Sequence, residues 1–160
     1  MGLRFAPDGI ARRRGYGHTE VRQKGGSGLN RPPRFADAGD HRAIEEGAAI
    51  LRAGGLVVFP TETVYGLGAD ACNAIAVARS FEVKRRPGFD PLIVHVADPS
   101  DAQLYADVSG RSARELIRAF WPGPLTLVVP RTERVPPIVT AGLATVGIRM
   151  PAHPAALSLM

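Results

Sequence analysis

The sequence predicts an α/β domain. Apolar runs of strand length stand at Leu56–Phe59, Leu92–Val96, Leu125–Val129 and Val146–Arg149, and stretches of helical period alternate with them. Glycine or proline punctuates the junctions. Alternation of this kind is the pattern of strands covered by helices.

The elements follow in order. Residues 1–35 show neither helical nor alternating periodicity and are rich in Gly, Pro and Arg, with a linker-like Gly25-Gly26-Ser27-Gly28. Such a segment buries too little apolar area to offset its ordering entropy. Residues 1–36 are therefore expected to be a disordered basic extension and residues 37–160 the folded domain. A basic arm on RNA phosphates and an organelle transit peptide are the other readings of this extension. Asp40 suits the N-cap of a helix that places Ile44, Ala48 and Leu51 on one face and ends at Gly54-Gly55. Leu56–Phe59 is a buried strand that Pro60 stops. A second helix runs from about Asn73 to Val83, with Ile75, Ala78 and Phe81 expected inward. Asp98 and Ser100 cap short turns after the Leu92–Val96 strand. A third helix spans Ser112 to Phe120, with Leu116, Ile117 and Phe120 inward, and Trp121-Pro122-Gly123-Pro124 breaks it. Two more strands follow, and Pro154 opens a last short helix at His153.

A chain of 160 residues fits one domain with a real core. No apolar run approaches the roughly 20 residues that span a bilayer, so no membrane partner is expected. The single cysteine, Cys72, excludes an internal disulfide and a multi-cysteine zinc site, which makes the cytoplasm the expected location. The net charge of +5 belongs to the extension: residues 1–35 carry 8 basic and 2 acidic residues, residues 36–160 carry 12 and 13.

Several chemistries are absent. There is no G-x-x-x-x-G-K-S/T loop, Gly66-x-Gly68 lacks the third glycine of a dinucleotide fingerprint, and no G-x-S-x-G elbow exists. The histidines at 18, 41, 95 and 153 have no metal-ligand spacing, so no protein-held metal is expected.

Ligands of open α/β sheets gather beyond the carboxyl ends of strands. There this chain carries Thr61, Thr63 and Tyr65 after one strand and His95 at the end of the next. Thr61 and Thr63 either cap a turn or bind a small polar ligand. Lys84, Arg85 and Arg86 either complement a helix end or grip a polyphosphate. His95 is either a core histidine or a ligand contact. Arg149, at a strand end, wants a carboxylate.

Five stretches together resemble the YrdC-like family, the threonylcarbamoyl-AMP synthases. They are Pro60-Thr61-Glu62-Thr63-Val64-Tyr65-Gly66-Leu67-Gly68, Lys84-x-Arg86-Pro87, Pro91-Leu92-Ile93-Val94-His95, Phe120-Trp121-Pro122-Gly123-Pro124-Leu125-Thr126-Leu127 and Thr145-Val146-Gly147-Ile148-Arg149-Met150-Pro151. The resemblance implies a twisted, open, mixed sheet with flanking helices. It implies synthesis of threonylcarbamoyl-AMP from L-threonine, bicarbonate and ATP, with pyrophosphate released. The product would pass through a tRNA-modifying transferase complex to adenosine in tRNA. By the same resemblance Thr63, His95 and Arg149 would hold threonine, and Lys84, Arg86, Asp90 and Thr145 would meet ATP. Lys84 and Arg86 would stabilise charge, no residue would react covalently, and Mg²⁺ would bridge the phosphates. Asp90 stands where the family usually has Asn, and the family's later Ser-Ala-Asn segment is missing, so the chain is read as the front part of the domain. A module binding double-stranded RNA or tRNA, or a fragment without turnover, is the alternative.

Overall fold

The computed structural model describes residues 33–85 and 90–160 together with the backbone of Gly2–Ala6. The expected mixed α/β architecture is divided into two small sheets. The first is antiparallel, in the order β2-β1-β3-β4: β1 Gly2–Ala6, β2 Arg34–Asp37, β3 Leu56–Phe59 and β4 Gly66–Gly68. The second is mixed, in the order β5-β7-β6: β5 Ile93–His95, β6 Leu127–Pro130 and β7 Thr145–Arg149. β5 runs parallel to β7 and β6 antiparallel to it.

Part of the extension expected to be irregular is strand. β1 pairs with β3 on the edge away from β4, and β2 adds outside β1, crossing the expected boundary at residue 36. The physical reason lies in β3: Val57 is fully buried, and a buried strand cannot leave a row of N–H and C=O groups unpaired. The Gly25-Gly26-Ser27-Gly28 linker lies outside the described residues.

Helix α1, His41–Arg52, begins as expected, with the Asp40 carboxylate accepting from the Arg42 N–H. Gly54 adopts φ of 78°, the left-handed geometry that ends the run. Ala43 and Gly47 form its buried centre, and Ile44, Ala48 and Leu51 pack around them. Helix α2, Ala74–Lys84, is capped by Asn73 Oδ1. Its inward face is Ala76, Val77, Ser80 and Phe81, whereas the expected Ile75 is 67% exposed. Helix α3 is one turn, Ala102–Tyr105, after the Asp98-capped turn. Helix α4, Arg111–Phe120, buries only Ile117, with Ala113 against the core; the expected Leu116 and Phe120 are exposed. Val77 and Ile117 lie one turn before the buried aromatics Phe81 and Trp121 and share their face, whereas Ile75 and Leu116 do not. Helix α5, Pro154–Leu159, opens with His153 Nδ1 accepting from the Ala155 N–H at 3.1 Å.

Two apolar clusters hold these layers. One joins α2, α4 and the buried face of the second sheet through Val77, Phe81, Val94, Trp121, Val146 and Ile148. The other joins α1, β3 and α5 through Ala43, Val57, Phe59, Ala155 and Leu159. Val146 and Ile148 are essentially without exposure, and each fully buried side chain of that size contributes about 2 kcal/mol. Their burial fixes the register of β7, because a slip of one residue would turn them outward. Thr145, Gly147 and Arg149 therefore face the opposite side, beside Ile93 and His95 of β5.

Candidate active site

The polypeptide leaves β3 through Pro60 into a turn organised by Thr61. The Thr61 hydroxyl accepts from the N–H groups of Thr63 and Val64, each at 3.2 Å, and donates to the Val64 carbonyl at 2.6 Å. Thr61 is buried and Thr63 exposed, their hydroxyl oxygens 3.1 Å apart. The turn reading applies to Thr61, and Thr63 stands exposed on the turn that Thr61 builds.

Arg149 ends β7 with its guanidinium locked from three sides. Its Nε donates to the Gly123 carbonyl at 3.1 Å, while Nη2 donates to Glu62 Oε1 and reaches the Thr63 hydroxyl at 3.4 Å. Gly123 belongs to the Trp-Pro-Gly-Pro break after α4, and its own N–H donates to the Met150 carbonyl at 2.8 Å. The indole N–H of Trp121 closes that break on the Leu125 carbonyl at 2.8 Å. A side chain at position 123 would overlap the Phe120 carbonyl oxygen, which is why glycine stands there. The other Glu62 oxygen accepts from the Ala152 N–H at 3.1 Å.

The carboxylate that Arg149 was expected to want is thus supplied from within the chain. Glu62, 87 residues away in sequence, ties the turn after β3 to the end of β7. The guanidinium is 10% exposed and the carboxylate 23%. Partial burial pushes the Glu62 carboxyl up, but its own backbone N–H, the Arg149 guanidinium and the Ala152 N–H together hold it below the usual carboxylate range.

His95 is the register partner of Arg149 across β5 and β7. Its ring meets Phe59 edge-on, with centroids 6.2 Å apart. Burial first, then the Arg149 charge, pushes the imidazole below its ordinary value, against smaller opposing effects of the Ile93 backbone and Glu62. It is therefore neutral at pH 7, able to accept one hydrogen bond and donate another. Phe59 is held by β4: a Cβ at Gly68 would stand 2.8 Å from its ring and one at Gly66 3.2 Å. The glycines of the Gly66-Leu67-Gly68 stretch make room for that ring.

His95 also lines a cavity of about 510 Å³ between the two sheets, with Phe59, Gly66, Ser80, Ile93 and Lys84. Lys84 is the last residue of α2, exposed, with no hydrogen bond or ion pair among the described residues. The α2 helix closes on Arg85 at φ of 50°, so the chain turns sharply there. A second hollow of about 630 Å³ beneath α4 contains none of the expected site residues.

Thr63, His95 and Arg149 are thus brought together. Thr145 is not with them: it opens β7, paired with Pro130, four residues or about 13 Å along the strand from Arg149. Asp90 precedes β5 on the same side as Thr145, and Arg86 lies outside the described residues. Tyr65 is exposed, 53%, beyond the turn. Glu62 and Gly123 were missed as site residues. The signal for Glu62 was present, an acid between two threonines in a chain whose strand-end arginine lacked a carboxylate; nothing in the spacing pointed to Gly123.

Comparison with known proteins accords with this geometry. The Sua5_yciO_yrdC family model, described as "Telomere recombination", matches residues 49–160. The threonylcarbamoyl-AMP synthase of Pyrococcus abyssi is 51% identical over 117 residues, covering 73% of this chain and 34% of that protein. That of Bacillus subtilis is 51% identical over 118 residues, with 73% and 34% covered. A structure of Pyrococcus abyssi Sua5 complexed with L-threonine superposes with a TM-score of 0.73 at 50% identity, over 75% of this chain and 35% of that one. E. coli YciO gives 0.67 at 28% identity, over 75% and 58%. The chain therefore spans about a third of the length of the first two relatives. With the family model covering most of its residues, the chain belongs to the Sua5/YciO/YrdC family.

Proposed function

We propose that the protein to which this chain belongs makes threonylcarbamoyl-AMP from L-threonine, bicarbonate and ATP, releasing pyrophosphate. The observation that carries this reading is the Thr63–His95–Arg149 group at the strand ends, in a fold whose relative is known complexed with L-threonine. Arg149 offers guanidinium donors to the substrate carboxylate, and Thr63 and the neutral His95 offer hydrogen bonds to its polar groups.

The amine and bicarbonate condense to a carbamate with loss of water. A carbamate oxygen then attacks the α-phosphorus of ATP, and the bond to pyrophosphate breaks. No side chain needs to form a covalent bond, so the protein's contribution is positioning and charge stabilisation. Lys84 and Arg86 meet the phosphates, with Asp90 and Thr145 flanking them. No group of three or more His, Cys, Asp or Glu side chains among the described residues is arranged to hold a metal ion. A Mg²⁺ ion would accordingly come with the nucleotide, on its phosphate oxygens. The product is consumed by a transferase that modifies tRNA, in the cytoplasm. No helix among the described residues is long and apolar enough to cross a membrane.

The test is pyrophosphate release from ATP, with threonine and bicarbonate omitted in turn. Release that needs both supports the reading. Release that needs neither, or none in the full-length protein, overturns it.

A further inference from the structure

Resting on the amino-acid reading of this site, we infer that Glu62 is a specificity-determining residue, the acceptor for the substrate's ammonium group, so that Glu62 and Arg149 read a zwitterion as a pair.

The argument starts from unused hydrogen-bonding capacity. Arg149 spends Nε on Gly123 and Nη2 on Glu62 and Thr63, and its Nη1 has no partner among the described residues. No fully buried side-chain nitrogen or oxygen among the described residues lacks a partner, so Nη1, which has none, keeps some exposure. From other residues the Glu62 carboxylate accepts two hydrogen bonds, at Oε1 from Arg149 and at Oε2 from Ala152, and its own backbone N–H also favours the charged form. A carboxylate oxygen can accept two. The Glu62 side chain keeps 23% exposure, so a further donor has access.

Charge then decides which ligands profit. Arg149 and Glu62 in contact sum to zero. A plain carboxylate approaching Nη1 is attracted by the guanidinium and repelled by Glu62 at comparable range, and it gains little. An α-amino acid carries its ammonium one carbon away from its carboxylate, a spacing that suits adjacent opposite charges. It is attracted by both. The neutral His95 adds no positive charge to repel the ammonium. Glu62 is also fixed by two donors from β7 and the segment after it, so it is already oriented when the ligand arrives.

The experiment measures binding of L-threonine and of 3-hydroxybutyrate, which keeps the carboxylate and hydroxyl but lacks the amine. It uses the wild-type chain, Glu62→Gln and Glu62→Asp, without nucleotide, by titration calorimetry. The wild type should prefer threonine, and Glu62→Gln should cut that preference at least about tenfold by weakening threonine and strengthening 3-hydroxybutyrate. Glu62→Asp should recover part of it. An unchanged preference in Glu62→Gln overturns the inference, as does tighter threonine binding, which would make Glu62 a mere occupant of the carboxylate site. Equal binding of both ligands by the wild type overturns it without any variant. A wild type that binds neither removes the amino-acid reading itself, and this inference with it.

Discussion

The two ends of the β5–β7 pair are built differently. At the carboxyl end, Arg149 is fastened to Gly123, Glu62 and Thr63, three points from two separate loops, with His95 beside it. At the amino end, Thr145 lies in the strand against Pro130, and Lys84, at the end of α2, stands exposed without a side-chain partner among the described residues. The locked end suits a small ligand whose atoms must be met individually. Lys84 is a flexible point charge, the kind of donor that the proposed phosphate role calls for.

Replacing Arg149 should erase the difference most completely. Arg149→Ala leaves the Glu62 carboxylate without its charged partner and should cost about 3 kcal/mol in urea unfolding, with threonine binding lost in the same sample. Gly123→Ala attacks the anchor rather than the cation. Its new methyl meets the Phe120 carbonyl, and the expected loss is about 2 kcal/mol, accompanied by weaker threonine binding although no ligand contact is removed.

A pH series separates the two titrating groups of the locked end. The Glu62 carboxyl sits below its ordinary 4.5, so its contribution is full above that value and is lost as pH falls below it. The His95 imidazole sits below its ordinary 6.5, so the unfolded chain takes the proton first, and stability declines as pH falls below 6.5. Glu62→Gln should act mainly on the acid limb and His95→Gln mainly on the upper one. Unfolding midpoints between pH 3 and 8 check both. The smallest effect is expected at Ile75→Ala, an exposed position on α2, within about 0.5 kcal/mol of wild type. A larger loss there would restore the helix face that the spacing suggested.

Much of this was legible in the sequence because local rules settled it. Asp40 caps α1, Asn73 marks the start of α2, Gly54 ends α1, and the four-residue apolar run before Pro60 is β3. What was not legible depended on distant partners. Ile75 and Leu116 are the expected inward residues, but Val77 and Ile117 are the ones that share a face with the buried Phe81 and Trp121 one turn on, and that packing decides. The strand at Gly2–Ala6 exists as the pairing partner of a buried edge, a demand that its own composition does not show. At the site, the residue types and their strand-end positions could be read. The ion pair could not: Glu62 and Arg149 are joined only once both sheets are folded.

The most direct test is the titration of L-threonine into the chain without nucleotide, repeated for Arg149→Lys and Lys84→Ala. The account predicts binding that Arg149→Lys abolishes, since an ammonium cannot reproduce three directed contacts, and that Lys84→Ala leaves intact. Threonine binding that survives Arg149→Lys, or that depends instead on Lys84, would contradict it.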